Sequence, residues 1–264
     1  MKFFRNLGIG AKLTLVLLGL MLVSAVALVY LSIDAIQTAG ESAQEASSAT
    51  LRQQAESYLL QLTSEFAERY NTRIEKVRED ADNLANYGSF LFDHPQAFNR
   101  SEYWSASEHI YEADGGQYMN DEEDTSSVFI PAGTELTDEL ITELEQSAYL
   151  DNEFSTTLAN SPSTVAVYFA SKKEINRLYP NIGLGNIVPP DYLATEDIFY
   201  QSGTPENNPE RATVWTPVYD DPAGQGLLVS AISPIYTSED EFIGIIGIDL
   251  SLRELTTNIE NAEI

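Results

Sequence analysis

The sequence predicts an α+β protein in which a transmembrane helix continues into a long stalk helix and then a mainly antiparallel sheet lobe with flanking helices. Three patterns predict this class: an uncharged stretch near the N-terminus, apolar residues at helical spacing after it, and β-branched and aromatic runs in the last hundred residues. Apolar residues make up 43% of the chain, which is enough for a buried core.

Composition excludes several classes of function. The 264 residues carry a formal charge of -27, which argues against nucleic acid as a partner. There is no Cys and there are only two His, so a disulfide framework, a thiolate metal site and a His-based zinc centre are not expected. We therefore expect no catalytic residues, no metal and no cofactor, and we do not expect an enzyme.

The uncharged stretch runs over residues 13–33 and is 21 residues long, which as a helix crosses a hydrocarbon core of roughly 30 Å. Lys2, Arg5 and Lys12 precede it, and the first acid is Asp34. The positive-inside rule then places residues 1–12 in the cytoplasm, a membrane helix at 13–36 and the main domain outside, in the periplasm or extracellular space. This is a single-pass topology in the cell (inner) membrane.

A cleaved signal peptide is the alternative interpretation of this stretch. Small residues at 24–27 offer a cleavage site, but the apolar run continues through them to Ile33. The length of the run therefore favours an uncleaved anchor.

The stalk helix is predicted over residues 37–90. Its apolar residues recur at steps of three and four, which is typical of one face of a long helix. That face packs either on its own domain or against a second copy, and the second option predicts a homodimer through the long helix. The face consists of Leu51, Tyr58, Leu62, Phe66, Tyr70, Ile74, Val77, Ala81 and Leu84.

The lobe is predicted over residues 91–252, and helical spacing resumes over 253–264. Residues 88–135 read as loops and short helices, and Thr137 is predicted to cap a helix that runs to about Leu158. Strands are predicted at 165–170, 175–179, 213–221, 227–234 and 242–250.

The strand predicted at 213–221 carries an aromatic face. Because side chains alternate along a strand, Trp215, Tyr219 and Asp221 should share one face with Pro217. Pro217 cannot donate a ladder hydrogen bond, which favours an edge or bulged position.

Asp249 ends an almost wholly apolar strand, where a carboxylate must find a partner or stay near water. With Tyr192, Phe199 and Tyr200 nearby in the chain, aromatic faces and carboxylates would suit an organic cation. The alternative is that the aromatic residues form core and that Asp249 caps a helix starting near Ser251.

Several motifs together resemble the membrane-distal lobe of double Cache domains. These are PAS-like extracytoplasmic sensor modules of bacterial chemoreceptors, sensor kinases and cyclic-dinucleotide enzymes. The resemblance covers most of residues 35–262 and implies a membrane receptor domain that binds a small solute for signal transduction or chemotaxis. Its motifs are Val167-Tyr168-Phe169, Tyr179-Pro180, Tyr192, Phe199-Tyr200, Trp215-Thr-Pro-Val-Tyr219, Ser233-Pro234-Ile-Tyr236 and Gly244-x-x-Gly247-x-Asp249.

Amino-acid-binding members of that family use an Arg for the ligand carboxylate and a Tyr with two acids for the ammonium. Here Asp197 stands in the place of the Arg and Phe199 in the place of a Trp, so the resemblance implies an amine or another cationic or neutral ligand. Arg177 or Arg211 as a substitute Arg would instead restore amino-acid binding. The candidate ligand-binding residues are Tyr192, Phe199, Tyr200, Trp215, Tyr219, Asp221 and Asp249.

A double Cache chain normally continues into a membrane-proximal lobe, a second membrane helix and an effector. Residues 253–264 are therefore expected to begin a linker helix to such a lobe. Two other functions remain open from the residues alone: a structural or partner-binding ectodomain without a small ligand, and a membrane-anchored enzyme of unknown class.

Overall fold

A computed structural model describes residues 9–98, 103–161 and 164–253. The chain divides into two compact units, residues 1–70 and residues 71–264. Most of the cytoplasmic segment predicted at 1–12 and nearly all of the linker helix predicted at 253–264 lie outside the described residues.

The first helix, α1, extends over Ile9–Asp93 and includes both the predicted anchor and the predicted stalk. No proline interrupts it, so the backbone hydrogen-bond ladder continues across both segments. From Leu18 on, α1 is by length and composition able to cross a membrane, and the apolar stretch there is not buried inside the described part of the protein.

Four further helices follow among the described residues: α2 at Ala106–His109, α3 at Asp138–Ser147, α4 at Asp151–Asn160 and α5 at Ile198–Gly203. The Thr137 side chain accepts a hydrogen bond from the amide of Leu140 at 3.2 Å, which confirms the predicted N-cap. The predicted single helix to about Leu158 is wrong, because a 3₁₀ turn at Ala148–Leu150 separates α3 from α4.

The described strands form one antiparallel sheet in the order β1-β2-β3-β5-β4-β9-β8-β6, and β7 also pairs with β8. The loop region predicted at 88–135 contains β1 to β3, which are too short to show alternation in the sequence. The strands are β1 Ile110–Glu112, β2 Tyr118–Asn120, β3 Ser127–Ile130, β4 Thr164–Ser171, β5 Asn176–Tyr179, β6 Val214–Trp215, β7 Tyr219–Asp220, β8 Leu227–Tyr236 and β9 Phe242–Ser251.

The central strands β4, β9 and β8 are buried on both faces. On one face, Ile246 and Ile248 pack in a core that includes Leu84 of α1, Leu144 of α3 and Phe154 of α4. On the other face, a second apolar cluster forms with α5 and the segment before it. Side chains of β9 therefore alternate between a helix-covered face and the face that holds the cavity described below.

A β-bulge overturns the predicted face sharing in residues 213–221. Trp215 pairs with Ala231, whereas Tyr219 pairs with Leu228, so the 213–221 segment has one more residue than β8 between these two pairs. One extra residue reverses the alternation. Trp215 consequently packs with the helix-face core and Tyr219 with the opposite cluster. The sequence did favour a bulge at Pro217, and that bulge reverses the alternation on which the shared face was predicted.

Burial differs between the apolar face of α1 and the rest of its surface, and this predicts unequal costs of truncation. Leu84 on that face is 4% exposed, and Leu60, which lies off it, is 72% exposed. Leu84→Ala should lower the free energy of unfolding by about 2–5 kcal/mol, while Leu60→Ala should change it by about 0.5 kcal/mol or less. Urea unfolding of the full chain in detergent micelles measures both values, and equal losses for the two variants would contradict this packing.

Candidate ligand-binding site

A partly open cavity lies on the sheet face opposite the long helix. Its volume is about 430 Å³ including the open mouth. The floor comes from β4, β5 and β9, and the walls come from α5, the loop after β7 and the segment at 184–192. The site is small and lined mainly by apolar and aromatic side chains, as small-ligand sites usually are.

The structure brings five of the seven predicted ligand residues to this cavity. Tyr200 lies in the same apolar cluster and packs edge-on against Phe242 at 6.2 Å between ring centroids, but it does not line the cavity. Trp215 lies on the opposite face of the sheet, because the extra residue between it and Tyr219 reverses the alternation of side chains. The five that line the cavity are Tyr192, Phe199, Tyr219, Asp221 and Asp249.

Asp249 is 4% exposed and stands on β9 directly opposite Ser230 of β8. Ser230 donates a hydrogen bond from Oγ to Asp249 Oδ1 at 2.5 Å, and the Tyr219 hydroxyl reaches the same oxygen at 3.3 Å. Tyr219 and Ser230 are also hydrogen-bonded to each other at 2.8 Å. The carboxyl group is therefore held by hydroxyl groups, and none of these bonds brings a positive charge to it.

Tyr168 of β4 lies across the strand pair from Gly247. A Cβ at position 247 would come within 2.1 Å of the Tyr168 ring, so glycine is required for the ring to lie there. Phe199 then meets this ring edge-on at 5.4 Å between centroids. The glycine of the Gly244-x-x-Gly247-x-Asp249 motif thus makes the space for an aromatic wall beside Asp249.

Asp197, which the motif resemblance sets in the place of an arginine, is hydrogen-bonded to the hydroxyl of Tyr192. Burial raises the pKa of the Asp197 carboxyl, the bond from Tyr192 opposes that rise, and the charge of Asp221 adds to it. The side chain at this position therefore adds negative charge close to the cavity and positions an aromatic ring of its wall.

The two candidate substitutes for the missing arginine are engaged elsewhere. Arg177 borders the cavity with its strand, but its guanidinium is buried on the helix-covered face, where it pairs with Asp151 at 2.9 Å and stacks on Trp104 at 4.7 Å. Arg211 pairs with Asp240 and stacks on Tyr236. Neither guanidinium therefore offers a carboxylate partner inside the cavity.

The electrostatics follow from this arrangement. Burial raises the pKa of Asp249 to about 7, the hydrogen bond from Ser230 opposes the rise, and the negative charge of Asp221 adds to it. Burial likewise raises the pKa of Tyr219 and of Tyr192 above their usual range. At neutral pH the tyrosines are neutral, while Asp249 exchanges its proton readily and would keep its charge if a cation lay beside it.

Sequence reasoning missed part of the lining. Tyr168 of the lining sits in a run that looks like ordinary strand core, as does Ser230, which bonds Asp249 from outside the lining. The position of both beside Asp249 depends on the register between β4, β9 and β8. Hydrophobic alternation alone gives no such register. The other missed lining residues are Phe169, Asn176, Leu178, Leu184, Val188, Pro222 and Ala223.

The raised pKa of Asp249 predicts a pH-dependent stability. Its folded value of about 7 exceeds the ordinary value of 3.8, so between these values the folded state binds the proton and the unfolded state does not. Stability then falls as pH rises through this window, by at most about 1.4 kcal/mol per pH unit. Asp249→Asn removes this contribution.

Urea unfolding of both full-length proteins at pH 4 to 8 measures the difference in their free energies of unfolding. That difference should move against the wild type as pH rises and then level off above pH 7. Parallel pH profiles would contradict a buried, raised-pKa carboxyl at this position.

Comparison with known proteins gives a family match over the same region. Residues 139–257 match the family model described as the first PDC sensor domain of methyl-accepting chemotaxis protein-like proteins. No curated protein shows a significant match to the chain.

Solved structures similar to this chain include three ligand-binding domains of chemoreceptors. The domain of the Pseudomonas aeruginosa amino acid chemoreceptor PctB with L-Gln is 20% identical, has a TM-score of 0.32 and aligns over 39% of this chain and 38% of its own. The domain of Pseudomonas fluorescens CtaA with L-valine is 16% identical, with a TM-score of 0.30 over 70% and 64%. That of Campylobacter jejuni Tlp3 with L-norvaline is 12% identical, with a TM-score of 0.34 over 73% and 65%.

The chain thus spans less than two thirds of the length of each of these three structures. The family match begins in α3, continues through the strands that form the cavity floor and ends beyond Asp249. The resemblance to Cache sensors drawn from the sequence motifs is confirmed in this region. Residues 139–257 are therefore similar to the first PDC sensor domain of methyl-accepting chemotaxis protein-like proteins, which is consistent with a Cache-like sensor module.

Proposed function

We propose that this chain is the extracytoplasmic sensory part of a membrane receptor and that its cavity binds a small organic cation, preferably an amine. The observation that carries the proposal is an aromatic cavity with buried Asp249 and half-buried Asp221 and no cationic group of its lining residues turned into it. A buried carboxylate without a counter-charge is costly, and a bound cation would supply one.

The chemistry of the walls also suits an ammonium group. Carboxylates give charge-assisted hydrogen bonds, and the faces of Tyr192, Tyr219 and Phe199 can attract a cation through their quadrupoles. Because a cation favours the ionised form of Asp249, its binding should also release the proton that this carboxyl holds near neutral pH. Amine affinity would therefore increase with pH up to about the pKa of the free site.

A ligand carboxylate has no comparable partner. Asp197 stands where the amino-acid-binding members have an arginine, and it is bonded to Tyr192. The guanidinium groups of Arg177 and Arg211 are both paired with acids. An α-amino acid would bring a negative charge next to Asp197 and Asp221, which repel it. The proposal therefore separates this site from an amino-acid site, although PctB, CtaA and Tlp3 carry amino acids in their solved structures.

Signalling would use the contacts between the sheet and α1. Thr213 donates a hydrogen bond to Asp82 of α1, and Ser238 after β8 bonds Asp93 through its amide at 2.9 Å. A ligand that draws β8 and β9 toward the cavity would favour one packing of α1 over another. Such a population shift is the step by which binding could reach the membrane.

The same proposal includes the membrane and a second copy. We infer that α1 crosses the membrane once, with residues 71–264 outside the cytoplasm, and that its middle part pairs with a second chain. Leu51 and Tyr58 of the apolar face are exposed on the single chain, which supports a homodimer through this helix.

Calorimetry with isobutylamine and its matching amino acid, valine, tests the ligand class. The full chain in detergent micelles should bind isobutylamine more tightly than valine. Valine differs from isobutylamine only by its carboxylate, which the acids of the site repel. Asp249→Asn, nearly the same shape, should weaken isobutylamine binding by about tenfold or more, and the exposed Asp220→Asn should leave it unchanged.

Tighter binding of valine, no binding of isobutylamine, or wild-type affinity in Asp249→Asn would each contradict the cation site. Asp220→Asn serves as the charge control, because it removes one negative charge from the neighbouring strand without touching the cavity lining.

Reporter fusions test the topology. A reporter that is active only outside the cytoplasm, fused after residue 264, should be active because the basic residues precede the apolar stretch and the acids follow it. A fusion that works only with a cytoplasmic reporter would contradict the placement of the sensor.

A further inference from the structure

One polar atom in the cavity has no partner. The Tyr168 hydroxyl is buried and makes no hydrogen bond among the described residues, although Tyr168 is only 6% exposed. Buried hydroxyl groups nearly always have a partner, so an exception at a cavity wall points to a group that arrives from outside.

The position of this hydroxyl is fixed by the strands around it. Its ring lies over Gly247, where no Cβ fits, and Phe199 packs edge-on against it. These contacts leave the ring little freedom to move toward another acceptor or donor. The unpartnered atom is therefore a consequence of how β4 and β9 pair.

The polar groups that face Tyr168 are already engaged with one another. Ser230 donates to Asp249, and the Tyr219 hydroxyl is bonded to Ser230 and reaches Asp249. Asp249, Tyr219 and Ser230 all lie close enough to the Tyr168 hydroxyl to influence its pKa, but none has both the distance and the angle of a hydrogen bond to it. One more donor placed beside Asp249 would complete the network.

We propose that Tyr168 is a further ligand contact that makes this site selective for ammonium ions bearing N–H groups. This rests on the proposed cation site. An ammonium held by the Asp249 carboxylate can direct a second N–H to the Tyr168 oxygen, which then accepts a hydrogen bond. A quaternary ammonium satisfies the charge of Asp249 but leaves the Tyr168 hydroxyl without a partner, so it is bound less well.

Calorimetry on the full chain in detergent micelles tests this with two probes, isobutylamine and isobutyltrimethylammonium. Tyr168→Phe removes only the hydroxyl and should weaken isobutylamine binding by about tenfold, while it changes binding of the quaternary probe by less than about twofold. Tyr236→Phe, a tyrosine outside the cavity lining, is the matched control and should change neither.

Unchanged isobutylamine affinity in Tyr168→Phe would overturn the inference while the cation site stands. An equal loss for both probes would also overturn it, since that pattern assigns the effect to ring packing. Failure of the wild type to bind isobutylamine would instead remove the proposed function on which the inference rests.

A series of methylated amines tests the same proposal on the wild-type protein alone, so the result does not depend on whether a variant folds. Affinity should fall from isobutylamine through its N-methyl and N,N-dimethyl forms to the quaternary ion, with a clear loss between the N-methyl and N,N-dimethyl forms, where the second N–H, the one directed to Tyr168, is removed. An affinity that stays level or rises as N–H groups are lost overturns the proposal, because added methyl groups would then replace the hydrogen bond without cost.

Discussion

The proposed ligand site depends on one buried carboxyl group that has no counter-charge among the described residues. Asp249 lies on β9, which is paired on both sides by β4 and β8, so the carboxyl cannot move to water without breaking a ladder. Ser230 and Tyr219 hold it with hydroxyl groups, and Asp221 adds a second negative charge nearby. The strand pairing thus keeps a group in place that only a proton or a cation can neutralise.

The same strand connects this group to the helix-covered face. Residues of β9 alternate, so Gly247 and Asp249 face the cavity while Ile246 and Ile248 pack in the core that α1 completes with Leu84. A shift of β9 that accommodates a ligand would therefore also change the surface on which α1 packs. Because packed cores have discrete arrangements rather than continuous ones, small shifts at such a site can become a switch.

The sequence predicts the site in part, and the physical reasons for the difference are local. Asp249 could be predicted because a carboxylate at the end of an apolar strand is unusual, and the fold class followed from periodicity. The predicted face of Trp215 is wrong because a single extra residue at the bulge reverses the alternation, and Pro217 favours a bulge without giving the register that follows it. Tyr168 was missed because its role depends on the register that puts Gly247 opposite it.

The pKa of Asp249 with and without a cation is the most direct measure of this account. Carboxyl ¹³C chemical shifts of the full chain labelled at aspartate, assigned with Asp249→Asn, give that pKa in solution. The account predicts a value of about 7 in the free protein, with a large decrease when isobutylamine saturates the site. A value near 3.8 in the free protein, or a pKa that does not change with isobutylamine, would contradict it.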